Sequence, residues 1–159
     1  MSSTAEIDLL RHTVATLAYR GGKALRGAPP EFAAFQLGEK KTAGEILAHL
    51  GDLMDWALSI AKGEAKWTPV PPTDWERDRA RFHAALEALD AHLASGQAMG
   101  APPAKLFQGP IADALTHVGQ IAMMRRVAGC PMKSENYYRA AMEAGRVGTE
   151  QTAPKVEFD

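Results

Sequence analysis

Asp113 and His117 stand four residues apart, and on a helix that spacing sets their side chains one turn above each other on the same side. A carboxylate and an imidazole so placed can pair with one another or hold one divalent cation between them. At about 100° per residue Gln120 and Met124 continue the stripe, while Ile111, Leu115, Val118 and Ala122 take the opposite side. From Ile111 to Met124 the one formal charge is Asp113, so the helix reads as buried nearly all round and its acid needs compensation. The plain alternative is that Asp113, in the first turn after Pro110, is favoured by the helix dipole and that His117 is simply its partner.

His49 offers a third donor. It lies beside Ile46, Leu50 and Leu53 and away from Glu45 and Asp52, which are expected on the solvent face of the same helix. A single histidine next to an apolar stripe is more often a satisfied core residue. If its helix neighbours that of Asp113, however, two imidazoles and one carboxylate make a facial triad with open positions, suited to Zn, Ni, Mn or Fe(II). Water on such an ion is acidified and serves as nucleophile or base. His12, His83 and His92 fall among polar or charged residues and are expected in solvent. Cys130, one thiol without an evident base partner, is expected to be structural.

The elements that must position these residues are helices. Four stretches with helical apolar spacing are separated by Gly- and Pro-rich segments, and none shows a convincing strand-type alternation. The first, 4–26, carries Ile7, Leu10, Val14 and Leu17, with Ser3 or Thr4 as cap and an end at Gly21-Gly22 or Gly27. The second, 42–62, opens with the capping-box pair Thr42 and Glu45. A proline-rich crossing pinned by Trp67 and Trp75 follows, and Thr73 or Asp74 caps the third helix, 74–95, with Phe82, Leu86, Leu89 and Leu93 inward and its charges outward. The fourth, 110–128, starts on Pro110 and stops at Gly129, and a short helix near 138–143 precedes an irregular end.

Bulk properties narrow the function classes. A chain of 159 residues suits one domain, 1–159, and 46% hydrophobic with 23% charged residues is an ordinary globular balance. A formal net charge of -1 offers no basic field for nucleic acid, and the single cysteine excludes an internal disulfide or a thiolate-rich zinc site. No membrane span or signal peptide is expected, since Glu6, Asp8, Arg11 and His12 break the N-terminal stretch, and a reducing cytoplasm fits best.

At HLGDLMDWAL (49–58), DALTHVGQIAMMRRVAG (113–129) and the SENYY segment, the chain resembles the DinB-like superfamily of DinB/YfiT-like metalloenzymes, a likeness that runs from the first helix through Tyr138. The resemblance implies an all-α, up-down-down-up four-helix bundle, often a homodimer, with a divalent metal held by one histidine on helix two and a His-x-x-x-His pair on helix four. His49 matches the first ligand and His117 the last; Asp113 stands where the usual pattern has histidine, which makes the set 2-His-1-carboxylate. It further implies transferases or isomerases that use a low-molecular-weight thiol, or a related hydrolase, on a small-molecule substrate. Gln120 and Tyr137 are expected behind the ligands, and Trp56, Met124 and Tyr137 around a pocket. The competing readings are a non-catalytic dimeric bundle with a degenerate metal site, and a small-molecule binding module.

Overall fold

The structure, a computed structural model, describes residues 2–158. Its main elements are α1 (Thr4–Leu25), α2 (Ala43–Ala61), α3 (Trp75–Ala94), a short α4 (Pro103–Leu106) and α5 (Ala112–Val127), so the chain is all-α. A two-residue antiparallel pair, β1 (Ser134–Glu135) with β2 (Glu157–Phe158), lies near the end of the chain. The short helix expected near 138–143 is instead a 3-10 turn over Tyr137–Arg139.

Local chemistry accounts for the helix ends. Ser3 and Thr42 cap α1 and α2 through full capping boxes with Glu6 and Glu45, and Asp74, not Thr73, caps α3 by accepting from the Arg77 amide. Gly27, Gly63, Gly96 and Gly129 follow the ends of α1, α2, α3 and α5 in the left-handed region, as C-terminal stops do. Gly21 and Gly22, one expected fraying point, lie inside α1 and are buried. A Cβ on Gly21 would come within 2.9 Å of the Phe82 ring, so this glycine lets α1 approach α3.

The fourth helix begins earlier than Pro110. It starts at Pro103 and passes through one π turn, Phe107–Ile111, before continuing as α5. Proline inside an α-helix lacks its amide donor and clashes with the preceding turn, and the wider turn absorbs Pro110 without breaking the helix.

Helix α2 packs against α3 and α5, and α1 against α3 and α5, around a core that includes Leu17, Leu47, Leu50, Phe82, Leu86, Ile111 and Ile121. Arg11 near the start of α1 pairs with Asp90 near the end of α3, while the Trp75 indole at the start of α3 donates to the Leu25 carbonyl at the end of α1. Arg125 is buried with no carboxylate partner among the described residues; its guanidinium donates to the carbonyls of Ala24, Arg26 and Cys130 and so locks the end of α5 to the end of α1.

Several charges expected outside are inside. Asp52, Asp78 and Asp90 are buried, each with donors to match: the Val70 amide and Arg81 on Asp52, the Thr73 amide and hydroxyl on Asp78, and Arg11 on Asp90. Lys23 and Glu135 form a buried pair that Tyr19 and Glu157 complete. His83 is buried too, its Nδ1 3.4 Å from the Val147 carbonyl, and the chain beyond the bundle folds back to cover it. His92 is half-buried, whereas His12 is exposed as expected. α5 is not apolar all round in its surroundings: Ala114, Val118, Ile121 and Arg125 face the core, but Met123 and Val127 are more than half exposed.

Two outcomes test this packing. Gly21→Ala should destabilise the fold by about 1–3 kcal/mol in urea unfolding, since the Phe82 ring is fully buried and has no room to yield. Burial is the main cause that holds the His83 pKa below its ordinary value, so the unfolded chain binds the proton more readily. Stability should therefore be complete above about pH 6.5 and decline as pH falls below it. His83→Gln should flatten that slope in urea midpoints measured between about pH 7.5 and pH 5.

Candidate metal centre

α2 and α5 lie side by side, and each contributes to one cluster. His49 stands about two turns into α2, after the Thr42 cap, and Asp113 and His117 stand on the adjoining side of α5. His49 Nε2 is 3.7 Å from Asp113 Oδ2, His117 Nε2 is 3.5 Å from Asp113 Oδ1, and the two imidazole centroids are 4.8 Å apart with their planes nearly perpendicular. One ligand atom from each residue falls within 4.8 Å of the other two. Among the described residues this is the one group of three or more His, Cys, Asp or Glu side chains so gathered.

The sequence places the cluster in a buried site; the structure opens it. Each histidine side chain is 19% exposed and that of Asp113 49% exposed, because the stripe faces the groove between α2 and α5 and not the core. The helix-dipole account of Asp113 also fails. The helix is continuous from Pro103, and the Ala112 amide already donates to the Phe107 and Gly109 carbonyls, so Asp113 does not stand at a free helix start.

Each histidine has its own support. His117 Nδ1 lies 2.7 Å from Gln120 Oε1, so the amide oxygen accepts from Nδ1–H and leaves the Nε2 lone pair directed at the cluster. His49 is held by rings: Trp67 meets it edge-on at 5.7 Å, and Trp56 meets Trp67 at the same distance. Burial is the main cause that lowers the His49 pKa, helped by His117 and Lys41 and opposed by Asp113 and Asp52, so the ring is neutral at pH 7 and its nitrogen is available.

The expected supporting residues divide. Gln120 touches His117, and Trp56 reaches the cluster through Trp67. Met124 is buried in the core, two turns beyond His117, and Tyr137 packs against Tyr19 and under the Arg20 guanidinium, where burial raises its pKa. Trp67 is the neighbour of the site that sequence reasoning passed over. Its position before Pro69, Pro71 and Pro72 signals a crossing, but nothing local says what the crossing covers. Beside Trp67, which packs on His49 and Trp56, and the buried Trp75, polar bonds anchor that segment: the Lys66 amide donates to Ser59, the Val70 amide to Asp52 and the Thr73 amide to Asp78.

The donor set suits a divalent ion. Two imidazole nitrogens and one carboxylate oxygen are borderline donors, and since ligands at about 2.1 Å from a common ion lie roughly 3.0–3.4 Å apart, this set, spread over up to 4.8 Å, would draw in slightly to hold one. Compared with known proteins, the chain matches no family model, no curated protein and no solved structure.

The His117–Gln120 contact makes a testable statement about the tautomer. Nitrogen-15 NMR at pH 7.5 should find His117 with its proton on Nδ1, and Gln120→Leu should return the ring toward the mixture of an unconstrained histidine.

Proposed function

We propose that the chain is a DinB-like metalloprotein that holds a divalent ion such as Zn, Ni, Mn or Fe on His49, Asp113 and His117 and uses it on a small-molecule substrate. One observation carries the reading. The three donors converge without satisfying each other: at 3.5 and 3.7 Å neither imidazole makes a hydrogen bond to the carboxylate, and Asp113 has no other cationic partner within 4 Å among the described residues. A self-contained acid–histidine pair would close to about 2.7–3.1 Å.

The bundle supports the same reading. The Arg11–Asp90 and Leu25–Trp75 contacts join opposite ends of α1 and α3, and Arg125 joins the ends of α5 and α1, as an up-down-down-up course requires. Met123 and Val127, four apart on α5 and each more than half exposed, give apolar surface on which a second copy would pair.

When bound, the metal supplies Lewis acidity that lowers the pKa of a coordinated water or low-molecular-weight thiol. The residues of the chain do the remaining work. Asp113 would offset part of the positive charge, Gln120 would keep the proton on His117 Nδ1, and the three side chains would leave positions open for a nucleophile and substrate. Transfer of a thiol to an electrophilic small molecule is the activity this site serves best, with hydrolysis the variant in which water takes the place of the thiol.

Metal analysis of protein prepared without an affinity tag tests the centre. We expect about one ion per chain and a melting temperature that rises on metal addition, with His117→Ala and Asp113→Asn each weakening binding by at least about tenfold. A chain that takes up no stoichiometric metal, melts independently of chelator and loses stability in Asp113→Asn would be a metal-free helical bundle instead.

A further inference from the structure

Trp67 stands against one ligand yet leaves much of its indole in water. Its ring meets His49 edge-on at 5.7 Å and Trp56 at 5.7 Å, but the residue remains 44% exposed. Flexibility does not explain this. The segment is anchored on both sides of Trp67, by the Lys66 amide on Ser59 and by the Val70 amide on the buried Asp52, and Arg81 in turn fixes Asp52. The indole is therefore a held ring with an open surface beside a cluster that is itself half open at Asp113.

We infer that Trp67 is a specificity-determining wall of the metal site, selecting ligands in which the group that reaches the metal is attached to a flat apolar or aromatic moiety. The inference rests on the metal reading above and names a substrate class for it. Reach permits it: an ion about 2.1 Å from His49 Nε2 lies no more than about 9 Å from the centre of the Trp67 ring. A ring carried one or two bonds from the coordinating group spans that gap. Trp56 braces the indole from α2, so the wall need not be ordered by the ligand, and little entropy is lost when the ligand's ring packs on it. A held aromatic wall favours planar apolar groups over extended polar ones.

A matched pair of chelators separates this from the metal reading itself. Acetohydroxamate and benzohydroxamate present the same bidentate oxygens and differ in the phenyl ring. They would be titrated calorimetrically into the full-length chain loaded with Zn or Ni, beside the free ion. Wild type should favour benzohydroxamate by about fivefold or more beyond the free ion's own preference. Trp67→Ala should bring that preference back to the free-ion value while acetohydroxamate affinity stays within about twofold, and Trp67→Phe should keep part of it. Equal preference in wild type and Trp67→Ala, with metal bound in both, overturns the wall and leaves the metal centre standing. Failure of wild type to bind the ion overturns both.

Discussion

The rotation of α5 about its own axis is the constraint on which the site depends. Asp113, His117 and Gln120 face the groove toward α2 only while Ala114, Val118 and Ile121 face the core. A turn of about 100° would exchange those sides. Apolar packing alone sets such an angle loosely, because α5 carries aliphatic or small residues on most of its surface. The buried Arg125 removes the freedom. Its guanidinium must reach three carbonyls, two of them at the end of α1, and leaving those bonds unmade would strand a charge in the core.

The acids of the bundle show why the cluster stands apart. Asp52, Asp78 and Asp90 are each buried, and each accepts at least two hydrogen bonds, Asp52 and Asp90 from distant segments and Asp78 from Thr73 just before its helix. They are carboxylates bonded into the fold. Asp113 is the reverse: half exposed, close to two imidazoles and bonded to neither. In a protein that satisfies its buried acids so thoroughly, Asp113 is the exception.

The pattern legible in the sequence was local. Capping boxes, glycine stops and the 3.6-residue period are written within a few positions, so α2 and α3 match their expected ranges nearly residue for residue. The i,i+4 relation of Asp113 and His117 is local in the same sense. That His49 meets them follows from the packing of α2 on α5, which periodicity permits but does not require. What escaped the sequence are pairings across long separations. Asp52, Asp90 and His83 look like surface residues until Arg81, Arg11 and Val147 arrive from distant segments. The start of the last helix escaped for another reason: Pro110 resembles a first-turn proline, and a π turn leaves no compositional mark.

That π turn has a bearing on how such a chain could change. A wide turn holds one residue more than an α-helix needs, so it acts as an inserted residue at a fixed place in the helix. Upstream, Leu106 belongs to the core and Pro103 is buried; downstream, Asp113 belongs to the groove. Loss of Pro110 itself, the residue the wide turn accommodates, would leave a regular helix of unbroken hydrogen bonding and would swing every later side chain by about 100° relative to the earlier ones. The helix would survive such a deletion more readily than the site would, which makes this short irregularity a point where an otherwise intact bundle could lose its centre.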